Sequence, residues 1–153
     1  MSTLETPRVS IEQSLANDGV CVVKTRGCSM NPLFKTHRDA VMILPPTRPF
    51  RKYDIVLYTY NGTDYVLHRI VGFKGDLCLI RGDNTYVTER VPKDKIIGVV
   101  ASFNRKGRRY DMTELSYRLY SRLWVLIYPI RFATHKTRGT LSKIKHKIIG
   151  RKA

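Results

Sequence analysis

Up to residue 110 the chain is a succession of short, β-branched runs cut by reversal residues, and this pattern restricts its fold more than any other feature. Val20 to Thr25, Ala40 to Leu44, Asp54 to Tyr60, Tyr65 to Phe73, Leu77 to Ile80 and Lys95 to Phe103 read as strands. Asn61-Gly62 and Lys74-Gly75-Asp76 between them are hairpin signals, because such residues accept the positive φ of tight turns. Pro45, Pro46 and Pro49 interrupt the ladder, since proline has no N–H to donate to it. The expected fold is mainly β, a small coiled antiparallel sheet or barrel. Ser10 to Leu15 reads as a short capped helix ended by Asn17, Asp18 and Gly19.

From Thr113 the period changes. Leu115, Leu119, Leu123, Trp124 and Ile127 recur at helical spacing as far as Pro129, and Leu141, Ile144 and Ile148 repeat the pattern in a basic setting. A chain of 153 residues is enough for one hydrophobic core. Residues 1–110 are therefore expected to form the β domain with its N-terminal helix. Residues 111–153 are expected to be a basic helical extension without independent standing.

The formal net charge is +16, from 28 Lys and Arg against 12 Asp and Glu. After Glu114 there is no acidic residue, so much of the excess belongs to the extension. Such a segment is attracted to anionic lipid, nucleic acid or acidic polypeptide. With Leu119, Leu123, Trp124 and Ile127 taken as one apolar face, residues 115–153 are expected to meet an anionic membrane surface peripherally. No apolar run approaches the ~20 residues that cross a bilayer. Cys21, Cys28 and Cys78 form no paired framework, and the His and Cys residues lack zinc-site spacing. A reducing, cytoplasmic setting is expected, at most peripheral at the inner face of the membrane, with no metal and no cofactor.

Ser29 lies at a strand exit in the turn Gly27-Cys28-Ser29-Met30-Asn31-Pro32. A serine hydroxyl needs a base to become nucleophilic, and a Gly-containing turn can expose it while aiming main-chain N–H groups at an oxyanion. Taken alone, it is more often an ordinary turn serine. His68 shares a strand face with Val66 and Ile70, where partial desolvation favours the neutral, proton-accepting imidazole. Arg69 points to the other face. Two carboxylates compete to orient the imidazole: Asp83 in the turn Arg81-Gly82-Asp83-Asn84, ranked first, and Glu89.

These residues fall in four ordered boxes: the Ser29 turn, Tyr53 to Tyr58, Tyr65 to Gly72 with His68, and Arg81 to Asn84. Together they resemble the signal peptidase and self-cleaving repressor superfamily of serine peptidases, over roughly residues 20 to 101. The nearest likeness is to the endoplasmic-reticulum-like signal peptidases, which carry histidine where the other members carry lysine. The resemblance implies Ser29 as nucleophile, His68 as base, and Asp83 and Glu89 as the acidic positions, with Thr88 and Glu89 replacing the usual paired aspartates. It also implies amide hydrolysis through an acyl-enzyme, at a bond flanked by small residues. The N-terminal membrane anchor of signal peptidases and the helix-turn-helix of the repressors are both missing from the pattern. A substrate peptide or protein, with an acidic or unstructured leader, is then the expected partner, and sequence-specific nucleic acid is not. Two other readings stay open: an inactive peptide-binding module of the same shape, and a basic nucleic-acid-binding β domain.

Overall fold

The β-branched runs pair into one curled antiparallel sheet of half-barrel form. The computed structural model describes residues 10–60 and 64–135. In chain order these form α1 (Ile11–Asp18), β1 (Cys21–Lys24), β2 (Asp39–Leu44), β3 (Ile55–Tyr60), β4 (Asp64–Lys74), β5 (Leu77–Arg81), β6 (Glu89–Pro92), β7 (Ile96–Arg105), β8 (Arg108–Asp111) and α2 (Leu115–Leu126). Residues 128–135 are also helical. The strand order is β1-β2-β7-β3-β4-β5-β6, with β8 attached to β7.

Register irregularities opposite Met42/Ile43 and Leu57/Tyr58 leave Ala101 and Ile97 of β7 as extra residues, and the one at Ile70/Gly72 does the same to Val71 of β4. Irregularities of this kind increase local twist and curl a sheet. One face carries Val41, Ile43, Ile55, Leu57, Val100 and Phe103, packed beneath α1, the Ser29 turn and Tyr117 of α2. The other carries Val56, Tyr58, Ile70, Cys78, Ile80 and Val91. At ~1.5–3 kcal/mol for each fully buried large apolar side chain, these two clusters supply the main driving force for closing the sheet.

The N-terminal helix forms as its sequence dictates. Ser10 Oγ accepts from the Gln13 N–H at 3.1 Å while Gln13 Oε1 accepts from the Ser10 N–H, and Gly19 ends the helix at φ 66°. The expected Asn61-Gly62 reversal lies outside the described residues, although the pairing of Tyr60 with Asp64 brackets it. The Leu141, Ile144 and Ile148 element also lies outside them.

Two features depart from the sequence reading. Glu89–Pro92 is a strand, although two charges and a proline in four residues hide its alternation, and it joins the sheet by pairing Ile80 with Glu89. Helical structure also continues past Pro129 after a break at Ile127. Proline in the first turn of a new helical segment costs little, because its missing N–H would have had no partner there.

Candidate active site

The pleat of β4 decides the geometry. His68 and Arg69 are consecutive, so they point to opposite faces of the sheet, and both are buried, at 7% and 0% exposure. Residues paired across neighbouring strands share a face. Ile70 pairs with Ile80 and Ile80 with Glu89, so Glu89 stands on the face of Ile70 and His68. Arg69 pairs with Arg81, and Asp83 follows two residues later on the face of Arg69.

The polar contacts follow this parity. Glu89 Oε1 lies 3.3 Å from His68 Nδ1. The Tyr58 hydroxyl donates to Glu89 Oε2 at 2.7 Å, and its oxygen lies 3.1 Å from the same Nδ1. With acceptors of two residues facing Nδ1, the network assigns the proton to that nitrogen and leaves Nε2 with its lone pair. Burial lowers the imidazole's pKa from its ordinary 6.5, opposed by the charge and hydrogen bond of Glu89 and, least, by the charge of Asp83. The ring is therefore neutral at neutral pH, as a proton acceptor must be.

Asp83 takes a different role from the one its turn suggests. Its two carboxylate oxygens each accept from the Arg69 guanidinium at 2.7 Å, and Tyr120 donates to Oδ2 at 3.2 Å. Arg69 also donates to the Tyr117 hydroxyl at 2.8 Å. Burial alone would lower the arginine's pKa, but the charge of Asp83 and contact with Tyr117 more than offset it, and the pKa is raised. The Asp83 carboxylate is thus engaged by Arg69 on the sheet face opposite His68, and of the two candidate carboxylates it is Glu89 that reaches the ring.

What the Arg81-Gly82-Asp83-Asn84 turn brings to the imidazole is Gly82. A Cβ at this position would lie 3.0 Å from His68 Nε2 and 2.7 Å from the Ser29 carbonyl oxygen, so only glycine lets the three meet. The next residues tie the serine turn down: the Asn84 N–H donates to the Ser29 carbonyl at 2.7 Å and its side-chain amide to the Cys28 carbonyl at 3.2 Å. Buried Met30, Leu33 and Phe34 root the same turn in the core, and Gly27 enters it at φ 78°. Ser29 and the Nε2 edge of His68 are thereby brought to one place. Among the described residues, the ring's hydrogen-bonding partners are Tyr58 and Glu89, and the Ser29 hydroxyl is not one of them.

Ser29 also lines a groove of about 810 Å³ whose apolar walls include Val23, Met30, Phe34, Leu57 and Leu67. Two strand edges without a partner among the described residues border it: the outer edge of β1, which pairs only with β2, and the start of β4, where β5 pairing begins only at Arg69.

A curled antiparallel sheet with a serine turn, a buried histidine and a Gly-Asp-Asn turn packed together invites comparison with known peptidases. Residues 3–101 match the family described as Peptidase S24-like. The chain belongs to this family. No curated protein matches it. Membership sets the general class, a serine-peptidase-like protein with a peptide or protein substrate. No helix among the described residues is long and apolar enough to cross a membrane.

The contacts of three neighbours of the candidate site escaped the sequence reading. Tyr58 sits between His68 and Glu89, and its signal was available: it falls on the same sheet face as Val56, whose cross-strand partner is His68. Trp124 and Arg131 both donate to the Asp83 carbonyl, at 2.9 and 2.6 Å, with the guanidinium 3.9 Å from the indole centroid. Trp124 therefore faces the body and does not join Leu119 and Leu123 on an outer apolar face. Only the fold reveals that contact, because helical spacing cannot say which of two apolar arcs turns inward.

Proposed function

We propose that this peptidase-family protein hydrolyses a peptide bond by a serine-histidine mechanism of the endoplasmic-reticulum-like type. The observation that carries the reading is the orientation of the His68 ring: Nδ1 is held by Glu89 and Tyr58, while Nε2 faces the Gly82 and Ser29 contact. In this scheme Ser29 Oγ attacks the scissile carbonyl carbon as Nε2 takes its proton. Main-chain N–H groups of the serine turn receive the oxyanion. The C–N bond then breaks, His68 returns the proton to the departing amine, and an acyl-enzyme remains. Water attacks the ester with His68 again accepting the proton, the acid leaves, and the hydroxyl is restored. Glu89 stabilises the transient imidazolium, and Tyr58 keeps ring and carboxylate in register. Asp83 supports the site by holding its turn against Arg69.

The substrate is proposed to lie extended in the groove as an added strand, using the free edges of β1 and β4. Lys24 and Arg26 line that groove, which favours an acidic, unstructured leader. Residues 111–153 are proposed as an extension of the β domain, a reading supported within the described residues by α2, which buries Tyr117 and Ser121. The three unpaired cysteines suit a reducing cytoplasm.

The test is labelling of the purified protein with a serine-directed fluorophosphonate, followed by peptide cleavage. The expected outcome is labelling at Ser29 that disappears in Ser29→Ala and falls in His68→Ala, with cleavage reduced by about 10³ or more in both. Cleavage undiminished in folded Ser29→Ala would sink the mechanism. Peptide binding without labelling or cleavage would favour the inactive peptide-binding reading, which draws support from the absence of a hydrogen bond between the Ser29 hydroxyl and the ring. Such bonds often form only with substrate in place, so the active reading is preferred.

A further inference from the structure

Around α2 the chemistry is reversed from that of an ordinary surface helix. Its inward arc is polar and aromatic: Tyr117 and Tyr120 contact the Arg69 and Asp83 pair, Ser121 is buried, and Trp124 donates to the Asp83 carbonyl. Its outward arc is leucine. Leu115, Leu119, Leu123 and Leu126 are 68%, 58%, 58% and 75% exposed. At 100° per residue they fall within about a quarter turn of one another. A contiguous apolar stripe of this kind on a protein surface marks a docking site.

The flank of the stripe identifies its occupant. Arg118 and Arg122 lie along one side, and with Arg48, Arg51 and Lys52 of the loop before β3 they border a hollow of about 400 Å³. Arg48 is neutralised by Asp54, at 2.9 Å through both nitrogens. Arg51, Lys52, Arg118 and Arg122 have no ion-pair partner among the described residues. Leucines beside uncompensated cations match a surface that is apolar below and anionic above. The chain's own last residues do not suit the place, since residues 136–153 carry only basic charge.

We propose that the outward face of α2 is an in-plane docking surface for an anionic bilayer, with the leucine stripe in the acyl boundary and Arg118, Arg122, Arg51 and Lys52 on lipid phosphates. The proposal is independent of the serine-histidine reading, because docking requires neither Ser29 nor His68. It also fixes a geometry: the bilayer lies against one side of the helix while the other side holds the Asp83 turn.

The full chain is sedimented with phosphatidylcholine vesicles, with and without phosphatidylglycerol, over a salt series. Binding to the anionic vesicles is expected to exceed that to the neutral ones and to weaken with salt. Leu119→Ser with Leu123→Ser, at unchanged melting temperature, should weaken binding about tenfold or more. Arg118→Gln with Arg122→Gln, which leaves the stripe intact, should weaken it less and flatten the salt dependence. Trp124 is the single tryptophan. Because it faces the body, its emission maximum should stay in place on binding. Equal binding by the leucine variant and the wild type would assign attachment to the basic tail and overturn the proposal. So would no binding at low salt, equal binding to neutral vesicles, a blue shift of Trp124, or a leucine-dependent dimer that ignores vesicles.

Discussion

His68 and Arg69 are neighbours on one strand, both buried and each beside a carboxylate from the segment 83–89, yet the two pairs differ in kind. Arg69 is sealed: the guanidinium spends its donors on Asp83, Tyr117 and the Tyr53 carbonyl, and the side chains of the ion pair are 0% and 2% exposed. His68 is left half-engaged, with one ring nitrogen held and the other turned toward the serine. Its carboxylate, Glu89, is 28% exposed at the side chain. A fully satisfied buried pair suits a strut, whereas a neutral ring held at one nitrogen only suits a proton acceptor. The contrast also shows that a place in the Gly-Asp-Asn turn does not decide which carboxylate reaches the histidine.

The largest expected effect breaks the strut. Arg69→Met leaves Asp83 buried without its cation and should cost about 3–5 kcal/mol in urea denaturation. Asp83→Leu placed on top should recover much of it, because an apolar pair removes the unpaired charge. A loss under about 1 kcal/mol for the single variant would mean that water or another cation reaches Asp83, and the contrast between the two pairs would fail.

Next comes the carboxylate of the candidate base. Glu89→Gln should lower kcat by about a hundredfold, with stability changed by no more than about 1 kcal/mol because the side chain is partly solvated. Asp83→Asn should do the reverse, costing mainly stability. If Asp83→Asn lowered kcat more than Glu89→Gln in folded protein, the assignment of partners would have to be exchanged.

Tyr58→Phe sharpens the comparison on a smaller scale. It removes a hydrogen bond to Glu89 and an acceptor at Nδ1 while keeping the ring in the core, and should lower kcat by about tenfold at most. The variant's imidazole should also show a measurable rise of the other tautomer in nitrogen NMR. An unchanged tautomer balance would make Tyr58 a packing residue.

The smallest effect is in pH. Because burial lowers the His68 pKa, the acid limb of kcat should fall below 6.5, and it should move lower still in Glu89→Gln, which removes a charge and a hydrogen bond that favour protonation. Stability carries the same sign. The unfolded imidazole takes up a proton near 6.5 and the folded one only at lower pH, so the group's contribution is lost as pH falls from 6.5 toward the folded value. A limb above 6.5, or stability rising over that interval as the solution is acidified, would show that Glu89 outweighs burial.

Much of this protein was legible without coordinates. The positions along the chain of strands β1 to β5 and β7, the capped first helix and the period change at residue 113 follow from side-chain alternation, turn residues and capping chemistry, all local properties. Ser29 and His68 could be chosen because a serine in a glycine turn and a histidine on an apolar strand face have distinctive chemistry at short range. The strand Glu89–Pro92 could not be chosen so, since Arg90 and Pro92 give it no apolar alternation, and its place depends on pairing with β5. With β6 unread, the face on which Glu89 stands was not legible, and Asp83, in its compact turn, ranked ahead of it.

By itself, then, the sequence determined which residues are candidates to react and that His68 and Arg69 must face opposite ways. Only the tertiary structure decided which carboxylate serves which of them, because that follows from strand register across β4, β5 and β6 and not from spacing along the chain. It likewise decided that Trp124 turns inward to Asp83 while Leu119 and Leu123 turn out. The leucine arc is the more apolar of the two, yet the arc of Tyr117, Tyr120, Ser121 and Trp124 turns inward, because the buried Asp83 turn needs hydrogen-bond donors, which tyrosine and tryptophan supply and leucine cannot.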